Sequence, residues 1–462
     1  MGTAELVLLI IQGLLSIYFS ILTTRALVLL FFALRYKERL ERYGKNEEIL
    51  KRKPFVTIMI PCYNEKNVIE RAIEACLNLD YENYEVLVVD DSTDDTVDIL
   101  KRWAQHPKVR VVHRDHRDGW KGGALDEGLK HLDPRTEFIL VVDADHVVPR
   151  DAIKKMLVRF VDEKIAAVQG YQFSVLNADE NWITMAARTF SALGFAIEHP
   201  GRFALGGANP LCGSMMMIRR DVLEEVGGFG KSLTEDYDLT LRIYLHGYEV
   251  VYDEGIRSLA ECPSSPKDFL RQICRWLEGR IRNFKRRLGD IMRSKELPLR
   301  KKVDLFLDYL ANLAALAALI AFGCWLASLA LGIEVPGFLE ALGLPHVAQL
   351  AFIVYTSLGY PVVVFTALKR EGERRTAGWL ASFFLAMGLT VPFSVGALLR
   401  GAFSNTGYFY RTFKTGKITL MGRYMSEEYL SMGGARAPYL WEGSAGLGLL
   451  AMNFFFRPPN LS

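Results

Sequence analysis

Two apolar runs that end in acids, EVLVVD at residues 85–90 and EFILVVDADH at 137–146, decide the fold. Each is short and rich in β-branched side chains, which predicts a strand buried on both faces. VTIMIP (56–61), stopped by proline, is a third such run, and VRVVH (109–113) is a fourth. After VTIMIP comes NEKNVIERAIEACLNL with helical spacing; after EVLVVD, Ser92 or Thr93 ahead of Asp94 and Asp95 predicts another helix start. This alternation predicts an α/β domain with a mostly parallel sheet and helices on both faces, Rossmann-like in plan. Ligands of such sheets bind at the carboxyl ends of the strands. Carboxylates stand at those ends here: Asp90 and Asp91, then Asp143 and Asp145. No Gly-x-Gly-x-x-Gly follows the first strand and no phosphate loop ending in Lys-Ser/Thr occurs, which counts against a dinucleotide oxidoreductase and a P-loop NTPase.

The domain is framed by oil. Of 462 residues 50% are hydrophobic and 24% charged, proportions that coexist only if the two are segregated along the chain. From Leu6 to Thr24 there is no charge, and the apolar character resumes after Arg25 as far as Leu34. That length spans a bilayer, and without a small-residue cleavage site it reads as a retained anchor. Lys and Arg are in excess from Arg35 to Lys53, which places that side in the cytoplasm and the amino terminus outside. Tyr309–Ile333 and Val347–Leu368 are each long enough to span; the loop between them lacks Lys and Arg and the loop after them reads KREGERR, so they predict a hairpin returning to the cytoplasm. Thr376–Leu399, with Gly388, Pro392 and Gly396, suits a re-entrant or interface-lying helix as well as a span, and Gly443–Phe456 is short for one. The basic stretch from Arg280 to Lys302 predicts an amphipathic helix on an anionic leaflet. The expected divisions are therefore an amino-terminal span (1–35), a basic cytoplasmic linker (36–53), an α/β domain (54–279), an interface helix (280–302) and a membrane region (303–462). A net charge of +3 gives no reason to expect a nucleic-acid partner. The six cysteines are scattered without metal-site spacing, as free thiols of a reducing compartment are.

Several residues carry chemistry. An Asp-x-Asp triplet at a strand end, Asp143 and Asp145, offers oxygens to a hard divalent cation that also needs phosphate oxygens. Lys121 in GWKGGA is either a cation brought to a diphosphate by a glycine-lined backbone or an exposed lysine beside a turn. Glu235, Asp236 and Asp238 open a helical pattern, either as macrodipole partners or with one of them serving as general base. Gln272, Arg275 and Trp276 fall on adjoining helical turns, where a guanidinium grips a diphosphate and an indole stacks on a sugar face; a snorkelling arginine at a helix interface looks similar.

The ordered series PCYNE, VVDDS, GWKGGA, VDADH, LCGSMMMIRR, TED and QICRW, followed by YRTFKTGK, resembles the membrane-embedded family-2 glycosyltransferases: cellulose, chitin, hyaluronan and glucomannan synthases. The resemblance covers most of the chain from Pro54. It implies the nucleotide-sugar fold called GT-A, placed between transmembrane helices, and an inverting transfer from a nucleoside-diphosphate sugar. By the same resemblance Tyr63, Glu65 and Asp91, or its neighbour Asp90, correspond to nucleotide contacts, Lys121 and Arg275 to diphosphate contacts, and Gln272 and Asp143 to nucleotide-sugar contacts. Asp143 and Asp145 are similar to the metal pair for Mg2+ or Mn2+, and Asp236 matches the general base. Cys212, Gly213, Ser214, Glu235 and Trp276 resemble acceptor contacts, although Leu211 replaces an aromatic residue there. Arg411, Thr412 and Lys414 resemble a gating segment, with Phe413 where one branch of the family has proline. A gate must reach a cytoplasmic site, so Thr376–Leu399 is expected to lie in or re-enter the interface. The implied partners are a nucleotide-sugar donor, a glycan or glycolipid acceptor and the lipid bilayer of the plasma membrane. The expected product is a β-linked polysaccharide; the alternatives are a single sugar added to a lipid and a non-catalytic assembly subunit.

Overall fold

The computed structural model describes residues 2–373 and 376–423. Strands β1 (Phe55–Cys62), β2 (Tyr84–Asp90), β3 (Val109–His113), β4 (Thr136–Val141), β5 (Ile165–Ser174), β6 (Met216–Arg219) and β7 (Glu249–Ala260) form one sheet. Their order is β3-β2-β1-β4-β6-β5-β7. The four expected runs are β1 to β4, and they pair in parallel. β6 runs antiparallel to both β4 and β5, and β7 is parallel to β5, so the sheet is mixed but mostly parallel.

Alternation along β1 explains why it is central. Val56, Ile58 and Ile60 join Val86, Val88 and Leu140 in a core closed by Ile69 and Ile73 of the helix Ile69–Leu77. Met59, Leu87, Val89 and Ile139 point the other way, under Ala124, Leu125, Tyr237 and Leu241. Each such side chain contributes about 1.5–3 kcal/mol by leaving water, and a carboxylate at Ile58 would find no partner there. The registers set Cys62 beside Asp90 and Asp90 beside His113, so the carboxyl ends of β1 to β3 finish level and form one edge.

A third core joins this domain to the apolar helices. It is built from Ala33 of the amino-terminal helix Thr3–Leu34, Ile183 and Ala186 of the helix Trp182–Ala192, and Val364, Leu368, Trp379 and Phe383. Among the described residues four helices are long and apolar enough to cross a membrane: Thr3–Leu34, Ala314–Leu331, His346–Arg370 and Thr376–Phe403. Arg25, set within the first of these, is buried against Asp308 (3.5 Å), which also pairs with Arg202 of the catalytic domain and lies 3.7 Å from Arg280. That cluster ties the amino-terminal helix to the domain.

Two elements differ from those expected. The helix containing Arg275 is continuous from Pro266 to Arg293, capped by Ser265 and begun by Pro266, and so runs across residue 280. The basic stretch is thus the end of that helix, a turn, and the start of Leu299–Asn312, exposing Leu288, Met292, Leu299, Val303 and Phe306. The run expected as one span, Tyr309–Ile333, is divided at Leu313, where the Asn312 side chain turns back to donate to the Asp308 carbonyl (2.7 Å).

Thr376–Phe403 is one unbroken helix through Pro392. Both of its ends meet the catalytic domain. Just before it, Glu371 and Glu373 pair with the fully buried Arg188. At its far end, Lys285 donates to the Ala402 carbonyl (2.6 Å) and Arg400 to Glu278 (2.9 Å). The apolar run Gly443–Phe456 lies outside the described residues.

Candidate active site

The turn between the helix His199–Leu205 and β6 builds the floor of the site. Gly213 there has φ +78°, and a Cβ on it would lie 3.0 Å from Lys121 Nζ and 3.2 Å from Asp236 Oδ2. Only glycine lets the backbone pass so close to both groups. Met215, two residues on, also holds a positive φ while buried, and the half-buried Asn64 and Trp120 hold one elsewhere around the site. Such conformations persist where surroundings over-determine them. Two glutamines of β5 do so here. Gln169 accepts from the Cys212 N–H and donates to the Ser214 carbonyl (both 2.9 Å), and Gln172 donates to the Cys212 carbonyl at 2.8 Å.

The ends of β1, β2 and β4 and the first turn of the helix Trp120–Leu129 supply one wall. Lys121 Nζ lies 2.5 Å from Asp143 Oδ1, 2.7 Å from the Gly213 carbonyl and 3.6 Å from Glu235. Gly122 behind it admits the Gly230 carbonyl to 2.0 Å from where a Cβ would stand, which is why glycine follows the lysine. Burial opposes the charge on Lys121, yet Asp143 and Glu235 raise its pKa, so it is an ammonium. Asp143 is steadied through its own N–H, which donates to Ser214 Oγ at 2.9 Å.

Asp145 meets Lys414 at 2.7 Å and accepts from the Glu261 N–H at 3.3 Å. Burial works against its ionisation, but Lys414 and His146 hold the carboxyl well below the usual carboxylate range. Ligand atoms of Asp143, Asp145 and His146 lie within 4.8 Å of one another. Two carboxylates and an imidazole suit a hard divalent cation of the Mg2+ or Mn2+ kind. Lysines neutralise both acids, so a cation is already what each selects.

On the opposite wall, Glu235 and Asp236 begin the helix Glu235–Leu245. Asp236 Oδ1 accepts from the Tyr237 N–H at 2.8 Å. Burial raises Asp236, against the pull of Lys121. Burial, opposed by Lys121 and reinforced by Asp236, pushes Glu235 up to about 7. A carboxylate raised toward neutrality beside a cation is arranged to accept a proton.

Other expected residues have structural partners. Asp90 is buried, accepts from the Ser92 N–H (3.0 Å) and lies 2.8 Å from His113 Nδ1; Asp91 is gripped by Arg114 through two bonds of 2.6 and 2.5 Å. Cys212 Sγ lies 3.2 Å from His199 Nε2, in a thiol that burial pushes up to about 12, so it is neutral. Trp276 stacks on Phe190 at 6.0 Å between centroids, and Gln272 is half-buried one turn earlier. Tyr63 carries the guanidinium of Arg117 3.7 Å from its ring centre.

Residues 404–419 have no regular secondary structure and cross this edge as a strap. Arg411 makes two bonds of 2.9 Å to Glu65, whose carboxyl burial pushes up to about 7 against that pull. Thr412 is half-buried between that anchor and Lys414. Glu261 accepts from the Thr415 N–H (2.6 Å), the Thr415 hydroxyl (2.8 Å) and the Gly416 N–H (3.1 Å). Asn67 donates to the Lys414 carbonyl at 2.9 Å. Sequence reading missed Gln169, Gln172, Arg114, Arg117, Glu261 and Phe409. The two glutamines had a signal, as polar residues inside an otherwise apolar strand.

Residues 53–279 match the family described as glycosyltransferase-like family 2. The domain formed by those residues belongs to that family. The chain is 29% identical over 280 residues to glucomannan 4-beta-mannosyltransferase 1 of Oryza sativa subsp. japonica, covering 58% of this chain and 54% of that protein. It is 33% identical over 246 residues to beta-monoglucosyldiacylglycerol synthase of a Nostoc species, half of each chain. The chain thus spans about half the length of the curated relatives it matches. Among solved structures it is similar to the mannosyltransferase PcManGT of Pyrobaculum calidifontis, determined with GDP-Man and Mn2+, with a TM-score of 0.53 and 22% identity over 78% of this chain and 98% of that one. That likeness is one of fold alone.

Proposed function

We propose that this protein transfers a hexose from a nucleoside-diphosphate sugar, with inversion, to a hydroxyl of a growing β-linked polysaccharide at the cytoplasmic face of the plasma membrane. The observation that carries the reading is the facing of Lys121, Asp143 and Asp145 by the raised Asp236 across Gly213. In the reaction the acceptor oxygen attacks the anomeric carbon, the bond from that carbon to the β-phosphate oxygen breaks, and the acceptor proton passes to Asp236. Lys121 and Arg275 receive the charge that develops on the departing diphosphate. Asp143 and Asp145 would hold a divalent cation, Mg2+ or Mn2+, which supplies further neutralisation of that diphosphate when bound. The Mn2+ in the complex of PcManGT supports the choice.

The excess of Lys and Arg after Leu34 supports a cytoplasmic catalytic domain. The Thr376–Phe403 helix is read as lying along the membrane interface, because contacts at both ends keep it beside that domain. The strap then covers the site from the same side. A second reading, transfer of one sugar to a lipid, is favoured by the similarity to the glycolipid synthase. Sizing the product of a radiolabelled nucleotide-sugar panel tests the two. A ladder of water-soluble or insoluble glycan supports the polymer; a single product extracted into organic solvent supports the lipid acceptor and overturns the polymer.

A further inference from the structure

Phe409 of the strap lies against the donor side of the site. Its ring stacks on Trp120, 6.5 Å between centroids and 24° apart in plane. The guanidinium carbons of Arg275 and Arg117 stand 4.2 and 5.4 Å from its centre. Arg117 also lies over Tyr63, at 3.7 Å, so its guanidinium is flanked by a ring of the sheet edge and a ring of the strap. Both arginines have a buried Nε with no hydrogen-bond partner.

An unused donor on a desolvated cation is costly, and two such donors converging on one ring are costlier. The acids nearby do not relieve them. Asp91 is 4.0 Å from Arg117 Nε and already spends both oxygens on Arg114. Arg275 is lowered by burial, and Arg117 adds to that lowering against Glu235, Asp236 and Asp143, so the two guanidiniums share one field. What completes such an arrangement is an anion with several oxygens, for which the planar guanidinium fork is suited.

We propose that Arg117 is a donor-binding residue that, held between Tyr63 and the strap ring Phe409, pairs with the diphosphate of the nucleotide sugar together with Arg275. The inference rests on the nucleotide-sugar reading above. Phe409 is a positioning residue: strap closure sets its ring beside Arg117, so diphosphate binding and closure support each other.

The test is calorimetric titration of the full chain in detergent, at constant Mn2+, with GDP and UDP and with the nucleosides guanosine and uridine. Arg117→Gln should weaken binding of the diphosphate that the wild type takes by about ten- to a hundred-fold. Nucleoside binding should stay within about two-fold. Arg117→Lys, which keeps the charge and loses the fork, should recover part of the loss. Phe409→Ala should weaken the diphosphate too, and adding it to Arg117→Gln should cost less than about two-fold more, because the pair acts as one unit. Equal diphosphate affinity in Arg117→Gln and wild type would overturn the proposal. So would parallel losses for nucleoside and diphosphate, which would make Arg117 a base contact or a packing residue. A wild type that binds neither GDP nor UDP would instead fail the nucleotide-sugar reading, and the proposal with it.

Discussion

Changing Asp236 to Asn removes a base and a charge while keeping a shape. Asp236 Oδ1 accepts from the Tyr237 N–H at 2.8 Å, a bond that the Asn carbonyl oxygen preserves, so the start of the helix Glu235–Leu245 should not move. The other oxygen faces Gly213 and the Lys121 ammonium, where an acceptor hydroxyl would have to deliver its proton. Lys121 keeps Asp143 at 2.5 Å and the Gly213 carbonyl at 2.7 Å in the variant, so the donor side is intact. A positioned general base contributes about 10²–10⁴-fold to the rate. The expectation for Asp236→Asn is therefore a fall in kcat of about 10²–10⁴, with donor affinity changed less than about three-fold. Nucleotide release measured beside a calorimetric donor titration reads both numbers. A variant that lost donor binding while kcat stayed at the wild-type value would refute the assignment and make Asp236 a binding residue.

Three further outcomes are expected. Burial raises Asp236 and pushes its neighbour Glu235 up to about 7, and the base works only when ionised, so kcat/KM should fall as pH falls through an apparent pKa of the pair lying above the ordinary carboxylate range; an acid limb at the usual aspartate value would contradict this. Gly213→Ala places a Cβ 3.0 Å from Lys121 Nζ at φ +78°, so stability should fall by about 1–2 kcal/mol from the left-handed backbone alone and turnover should fall with the displaced lysine, as thermal unfolding and nucleotide release would show. Glu261→Ala removes the acceptor of three strap donors, so hydrogen exchange at Thr415 and Gly416 should speed up by about ten-fold or more, and unchanged exchange would mean that the strap is held by Arg411 and Lys414 without it.

The α/β plan was legible because β1, β2 and β4 are buried on both faces and so appear as unbroken apolar runs, with acids exposed where the runs stop. The same edge brought Asp143, Asp145 and Lys121 together, and the helix start at Glu235 brought Asp236 to them. What was hidden depends on contacts between distant residues. Gln169 of β5 pairs with Cys212 in the turn before β6, Glu261 receives a strap more than a hundred residues later in the chain, and Arg25 is buried by Asp308 far down the sequence. No local spacing records such pairings. The basic surface that begins near residue 280 lies within the helix Pro266–Arg293, whose backbone continues past it. Leu313 broke an apolar run through the turned-back side chain of Asn312, which hydropathy does not register.

The central claim is that this site transfers sugar from a nucleotide. The most direct measurement is release of nucleoside diphosphate from a panel of UDP- and GDP-sugars by the purified full chain in detergent with Mn2+, repeated in excess chelator and with Asp145→Asn. The expected result is release from one donor of the panel, lost in chelator, restored by added Mn2+ and lost in Asp145→Asn. Folded wild-type protein that released no nucleotide from any donor, or released it at the same rate in chelator and in Asp145→Asn, would contradict the account.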